Sequence, residues 1–276
     1  MMRVLVLLFM LIGSFGGWSK PINPATEHYL AGFLATSERV PGSEEMFMRH
    51  LNSLQDKRAK FRSDLDFVRY VFSATHKKFL KTFDAQATFG VLFKNGAYSC
   101  LTGTILYSLI LSDFDIPHQV IETNYHIFIL VKTETGELLL EATDPANGLV
   151  TGDNEITRRM EVYRSTTPTM VKPKGDLSYY EFSFDLFNRV TLEELAGLLY
   201  YNLAIEAYNK QNLAEAIFYL DEAIARYSSP RIEEMARLLL LTVHESSLNA
   251  SEKSAFKKTL QTIRYRALPV VAGLRP

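Results

Sequence analysis

The chain has 276 residues, enough for one or two domains with a sizeable hydrophobic core. Hydrophobic residues make up 47% and charged residues 22% of it, as in ordinary globular proteins, and the formal net charge is -1. A net charge this close to zero creates no electric field that would attract a polyanion. We therefore expect no nucleic-acid partner.

The N-terminus has the three-part layout of a secretory signal peptide. Arg3 supplies a positive charge, Val4–Ile12 is continuously apolar, and small residues follow up to Ser19, after which we expect cleavage. The apolar run is shorter than the about 20 residues that a membrane-spanning helix needs. We therefore predict an exported protein, periplasmic or extracellular, with an uncleaved N-terminal anchor as the alternative and no other membrane span.

Helical periodicity dominates residues 23–83. Ser43 is expected to open one helix, and Ser63-Asp64-Leu65-Asp66 resembles a capping box for the next. Residues 84–99 look irregular, and Leu101–Phe114 is apolar on most sides, which predicts a buried helix.

The periodicity then changes to that of strands, with many β-branched and aromatic residues. The predicted strands are Gln119–Thr123, His126–Thr133 and Glu137–Thr143. Residues 145–190 are rich in loop-forming residues, with short strand candidates at Glu161–Arg164 and Tyr179–Phe184.

From Thr191 the chain is predicted to be helical, beginning with a capping box that includes Glu194. Tyr200–Pro230 matches the tetratricopeptide pattern, with Pro230 closing the repeat, and a second helix pair is expected over 232–266. A free-standing solenoid needs about three repeats, so these helices should lean on the preceding domain. They serve either as a buttress or as a surface for a protein partner, and both remain open.

Cys100, the only cysteine of the chain, lies just before the predicted buried helix in the stretch NGAYSCLTGT. With one cysteine no internal disulfide can form, so the thiol is a buried hydrophobe, an intermolecular link or a reactive group. The start of a helix stabilises a thiolate through its free N–H groups and its dipole. Gly103 and Thr104 share the face of Cys100 and are small, although glycine costs about 1 kcal/mol inside a helix. We therefore expect a strand to pack closely against the first turn.

A hairpin is expected to bring a histidine and a carboxylate to this helix. Glu134-Thr135-Gly136 is typical of a three-residue loop that ends in a left-handed glycine, which pairs Thr133 with Glu137. The same register places His126 opposite Asp144, about 5 Å apart, so that the carboxylate can orient the imidazole. Their shared face should pack toward the cysteine helix and continues as Phe128, Leu130, Ala142, Leu140 and Leu138.

A thiol, an imidazole and a carboxylate in a line are the groups that thiolate–imidazolium catalysis needs, so the predicted catalytic residues are Cys100, His126 and Asp144. Taken singly, each has an ordinary structural role: a buried thiol, a half-buried strand histidine, and a turn-forming aspartate before Pro145. The same three residues could ligate zinc, but neither Cys-x-x-Cys nor His-Glu-x-x-His spacing supports this. We expect no metal and no other cofactor.

Residues 96–148 resemble the core of the transglutaminase-like superfamily, a papain-related fold with Cys, His and Asp in that chain order. YSCLTGTILYSLIL is similar to its nucleophile helix, DIPHQVI to the turn into its first core strand, YHIFIL to its histidine strand, and LLLEATDP to the strand that ends in the aspartate. The resemblance implies Cys100 as nucleophile, His126 as general base and acid, and Asp144 as the orienting carboxylate. The whole chain looks like bacterial transglutaminase-like proteins with a tetratricopeptide tail.

We thus predict an α+β protein: a signal peptide (1–19), a transglutaminase-like domain of helices packed on a small antiparallel sheet (20–190), and an all-α tetratricopeptide-like domain (191–276). The expected function is that of an exported thiol enzyme acting on amide or peptide bonds, as a protease or amidase with water and as a crosslinker with an amine. The alternative is a non-catalytic scaffold whose helical tail binds a protein in the cell envelope.

The attack of a thiolate on an amide creates an oxyanion, and we expect the backbone N–H of Cys100 to be the first hydrogen-bond donor to it. Gln86, Asn95 and Tyr98 are the candidates for a second donor, and the sequence does not choose among them.

Overall fold

The computed structural model describes residues 21–165 and 186–271, and these form an α+β fold. The helices are α1 (Pro24–Leu34), α2 (Ser43–Arg58), α3 (Asp64–Phe79), α4 (Phe89–Asn95), α5 (Cys100–Asp113), α6 (Asp153–Ser165), α7 (Leu192–Asn209), α8 (Leu213–Arg226), α9 (Pro230–Glu245) and α10 (Ala250–Val271). The strands are β1 (Thr82–Phe83), β2 (Ala97–Tyr98), β3 (His118–Thr123), β4 (Ile127–Thr133), β5 (Gly136–Leu140), β6 (Leu149–Thr151) and β7 (Phe187–Val190). The predicted combination of helices with a small antiparallel sheet is confirmed.

The antiparallel sheet has the strand order β6-β5-β4-β3-β7. Helix α5 packs against β3 and β4 on one face, and α6 packs against β5 and β6 on the other. Strands β1 and β2 form a separate parallel pair directly before α5. The start of α5 therefore lies where the two-stranded pair, the helical layer and the main sheet meet.

Helix α5 is the predicted buried helix, and its apolar residues from Leu101 to Leu111 are all buried. Full burial of one such side chain contributes about 1.5–3 kcal/mol, so the helix is a large part of the core. Ser99 caps it: the Thr102 N–H donates to the Ser99 hydroxyl, and the Ser99 N–H donates to the Thr102 hydroxyl (2.8 Å). This capping box determines that the helix begins at Cys100.

Other local predictions have mixed outcomes. Ser63 caps α3 as expected, and its hydroxyl accepts a hydrogen bond from the Asp66 N–H (3.1 Å). The strand candidate Glu161–Arg164 is wrong, because this segment is the end of α6. Ile156, Met160 and Tyr163 of that helix follow one another at helical spacing and pack on the sheet, which favours a helix over a strand.

Two expectations fall on residues that the structure does not describe: the signal peptide (1–19) and the strand candidate Tyr179–Phe184. Across residues 21–165 and 186–271, no helix has both the length and the apolar character that crossing a bilayer requires.

The C-terminal helices lean on the α+β part of the molecule, as expected. The capping box at the start of α7 is present, with Thr191 N–H donating to the Glu194 carboxylate (2.8 Å). Leu195, Leu198 and Leu199 of α7 belong to the same core as α5, whereas the rest of the tail has a core of its own. Pro230, expected to close the repeat, is instead the first residue of α9, where its missing N–H costs nothing.

Candidate active site

Cys100 is the first residue of α5 and is partly buried. The expected close approach to this turn is confirmed: a Cβ on Gly103 would lie 2.8 Å from the Cβ of Ala142, which follows β5. The Thr104 hydroxyl donates to the carbonyl of Ile127 (3.4 Å), the residue after His126. The small residues of the first turn therefore allow the end of β5 and the start of β4 to lie close against it.

The predicted hairpin register is wrong by one residue. Thr133 pairs with Gly136 rather than with Glu137, and Ile129 pairs with Leu140. Gly136 has the expected positive φ (126°), but it is the first residue of β5 and not the last of a three-residue loop. The Thr133 hydroxyl donates to the Gly136 carbonyl (2.8 Å), which holds this shorter connection.

A shift of one residue changes which side chains share a face, because the side chains of a strand alternate. Ile129 and Leu140 face the cysteine helix, whereas Phe128, Leu130 and Leu139 pack on the other side of the sheet against α6. The predicted shared face was therefore wrong: Phe128 and Leu130 do not point to α5.

His126 nevertheless reaches Cys100, because it lies just before β4 and outside the paired part of the strand. A tight turn holds it there: the Thr123 N–H donates to the His126 carbonyl (2.8 Å), and the His126 N–H donates to the Thr123 hydroxyl (3.0 Å). From this position the imidazole lines the same cleft as Cys100 and is close enough to interact with the thiol. The ring of Tyr163 from α6 packs on it, with ring centroids 4.5 Å apart.

The carboxylate that contacts the imidazole is Glu141, which sequence reasoning missed. His126 Nε2 donates a hydrogen bond to Glu141 Oε2. The Glu141 side chain is only 3% exposed, and its Oε1 accepts from the N–H (2.8 Å) and the hydroxyl (2.7 Å) of Thr143. Because Nε2 is taken by Glu141, Nδ1 is the ring nitrogen available to the sulfur.

Asp144, the predicted orienting residue, has a different environment. Its Oδ1 accepts from the backbone N–H of Ala146 (3.2 Å) and Asn147 (2.8 Å), and its Oδ2 lies 3.9 Å from an Arg159 nitrogen. None of these contacts involves His126, and Asp144 forms the turn that precedes β6. Glu141 directly follows β5 and His126 directly precedes β4, so the two side chains meet just beyond the paired ends of these strands.

The electrostatics of the site favour a protonated imidazole. Burial lowers the pKa of His126, but the hydrogen bonds to Cys100 and Glu141, together with their charges, outweigh burial and raise the pKa to about 9. His126 is therefore an imidazolium at neutral pH, which is the partner that a thiolate needs.

The Cys100–His126 pair opens into a cleft of about 200 Å³. One wall comes from the helical tail, with Leu198 and Asn202 of α7 and Arg231 of α9. The tail is therefore part of the site and not a remote attachment.

Arg231 fixes the turn that carries His126. Its guanidinium donates to the carbonyls of Thr123 (2.8 Å) and Asn124 (3.1 Å), and its Nε lies 3.0 Å from a Glu122 carboxylate oxygen. The Tyr227 hydroxyl donates to the other oxygen of Glu122. Sequence reasoning missed this buried network, because it joins residues more than 100 positions apart and has no local signal.

The three predicted second oxyanion donors do not line the cleft. Gln86 lines a neighbouring cavity, Tyr98 is buried beside His76, and the Asn95 side chain accepts a hydrogen bond from the Ala97 N–H. Among the residues that do line the cleft, Asn202 carries a side-chain amide that can donate.

Comparisons of the chain with protein-family models, with curated proteins and with solved structures found no match. The transglutaminase-like resemblance therefore rests on residues 96–148 themselves.

Proposed function

We propose that this protein is an exported, transglutaminase-like thiol enzyme that cleaves amide bonds through Cys100 and His126, with Glu141 as the orienting carboxylate. The observation that carries the proposal is that Cys100, at the start of a buried helix, and His126, held by Glu141, line the same accessible cleft. Helix start, imidazolium and buried carboxylate each favour the ion pair that an attacking thiol requires.

In the proposed reaction the Cys100 sulfur attacks the amide carbonyl carbon, and the electrons of the C=O bond move to the oxygen. The Cys100 N–H stabilises this oxyanion. When the carbonyl re-forms, the C–N bond breaks, and His126 gives its proton to the leaving amine. The product is a thioester on Cys100.

A second nucleophile then resolves the thioester. His126 takes a proton from water or from an amine, the nucleophile attacks the carbonyl carbon, and the C–S bond breaks to release Cys100. Water gives hydrolysis and an amine gives crosslinking, with the same proton transfers in both. Incubation with and without an added primary amine, followed by mass spectrometry of the products, distinguishes them.

Alkylation of Cys100 by iodoacetamide at pH 7 tests the activated pair. Because the chain has one cysteine, the modification reports on one site. We expect the native protein to react and His126→Ala to react at least about tenfold more slowly, consistent with the loss of a general base. His28→Ala, which removes an exposed histidine of α1, is the matched control and should react as the unmodified chain does.

Equal rates in the native protein and in His126→Ala would contradict the proposal. A thiol that reacts only in denaturant would likewise favour the alternative, a scaffold whose tail binds a protein partner in the cell envelope.

A further inference from the structure

A second cavity, of about 140 Å³, adjoins the cysteine cleft. Ala85 and Asn202 line both, so the two cavities are direct neighbours. The second cavity runs between the loop at 85–88 and helix α7. We call the two neighbouring cavities together the α7 groove, with Cys100 at one end and Asn209 at the other.

The floor of the α7 groove is one polar face of a helix. Asn202, Glu206 and Asn209 all line it, and their spacing of four and then three residues places them on the same side of α7. Apolar side chains lie beside them, namely Leu199, Leu203 and Ile205.

These side chains match the chemistry of a peptide backbone. An asparagine amide offers both hydrogen-bond donors and an acceptor. It can therefore hydrogen-bond to the C=O and the N–H of an extended chain, whatever the side chains of that chain are. Asn202 and Asn209 are about 10 Å apart along the helix, which is the length of about three extended residues. A small amide substrate bound at Cys100 would not reach Asn209.

The charge of the second cavity disfavours anionic ligands. Among the residues that line the second cavity, Glu206 carries the one charged side chain, and Lys210 already donates to it (2.6 Å). A neutral polypeptide segment suits this surface.

We propose that the α7 groove binds an extended polypeptide, with about three residues on one side of the scissile bond lying along Asn202, Glu206 and Asn209. The tail then selects polypeptide over small amide substrates. This inference rests on the thiol chemistry proposed above.

Iodoacetyl-capped alanine peptide amides of one to four residues test the groove, with iodoacetamide as the reference. We expect the rate of Cys100 alkylation in the full chain to rise about tenfold from one residue to three and then to level off, since each backbone hydrogen bond contributes a few-fold.

The variant Asn209→Ala should keep the iodoacetamide rate within about twofold and lose the gain that the third peptide residue brings. Asn209 is exposed and lines only the second cavity, so the change leaves the core and the cysteine cleft intact. Asn52→Ala, at an exposed position of α2, is the matched control and should keep the length dependence.

The outcomes separate the two proposals. Equal rates for all peptide lengths, with alkylation still dependent on His126, overturn the groove and leave the thiol chemistry standing. A gain from the third peptide residue that survives in Asn209→Ala also overturns the groove, because the peptide then lies elsewhere. Loss of the His126 dependence overturns both.

Discussion

The His126 imidazole donates a hydrogen bond to Glu141, a buried carboxylate, and not to Asp144 three residues later. Both acids belong to the same short stretch, but Glu141 lies directly after β5, beside the imidazole, whereas Asp144 lies in the turn that follows. The first prediction follows from this pairing.

Glu141→Gln should slow alkylation of Cys100 at pH 7 by about tenfold or more, because the amide keeps the shape of the side chain but removes the charge that holds the imidazolium. Asp144→Asn should change the rate by less than about twofold. The iodoacetamide assay measures both. If Asp144→Asn produced the larger loss, the assignment of Glu141 as the orienting carboxylate would be wrong.

Gly103→Ala should destabilise the protein although alanine is the better helix former. The new Cβ would lie 2.8 Å from the Cβ of Ala142, and such overpacking costs about 1–3 kcal/mol, which outweighs the about 1 kcal/mol gained in helix propensity. Urea unfolding measures the free energy of unfolding.

Gly32→Ala in α1 is the matched control, since nothing lies within 4 Å of its added Cβ. It should stabilise the protein by up to about 1 kcal/mol. The double variant Gly103→Ala/Ala142→Gly should recover stability lost in the first. A stabilised Gly103→Ala would show that the strand does not approach the helix as closely as described.

Arg231→Met should both destabilise the fold and slow Cys100 alkylation. It leaves the buried Glu122 carboxylate without its ion pair, which typically costs about 3–5 kcal/mol, and it removes two hydrogen bonds from the turn before His126. Adding Glu122→Gln should restore much of the stability but not the alkylation rate.

Arg266→Met is the control for loss of an arginine from the tail. Its ion pair with Asp221 is exposed, with a distance of 3.6 Å, so the loss should stay below about 1 kcal/mol. An Arg231→Met protein with normal alkylation kinetics would mean that the tail does not position His126.

The pH dependence of stability should reflect two histidines with opposite shifts. Burial, with a smaller effect of Lys78, lowers the pKa of His50 to about 4. Between pH 6.5 and 4 the unfolded chain therefore binds more protons at this residue, and the free energy of unfolding falls as the pH falls. His126, with its pKa raised to about 9, contributes stability that is complete below pH 6.5 and is lost as the pH rises through 9.

Urea unfolding at pH values between 4.5 and 9.5 measures both effects. His50→Gln should flatten the acid limb alone, and His126→Gln should flatten the alkaline limb alone. An unchanged slope in either variant would contradict the corresponding shift.

The sequence predicted the parts of the site that depend on local signals. The apolar run after Cys100 predicted a buried helix that begins there, and Gly103 marked the close approach of a strand. These are a pattern within one helix and a requirement for space at one residue, and a sequence displays them directly.

The register could not be predicted in the same way. Gly136 suits both the last position of a three-residue loop and the first position of a strand, and the choice shifts every later side chain to the other face. The contact of Arg231 with the turn before His126 depends on how the tail docks, which no local pattern encodes.

The coupling between Cys100 and His126 is measured most directly by an NMR titration of the His126 ring in the native protein and in Cys100→Ala. We expect a pKa of about 9 in the native protein and a clearly lower value without the sulfur, because the interaction with Cys100 is the largest of the effects that raise it. The same pKa in both proteins would contradict the coupling.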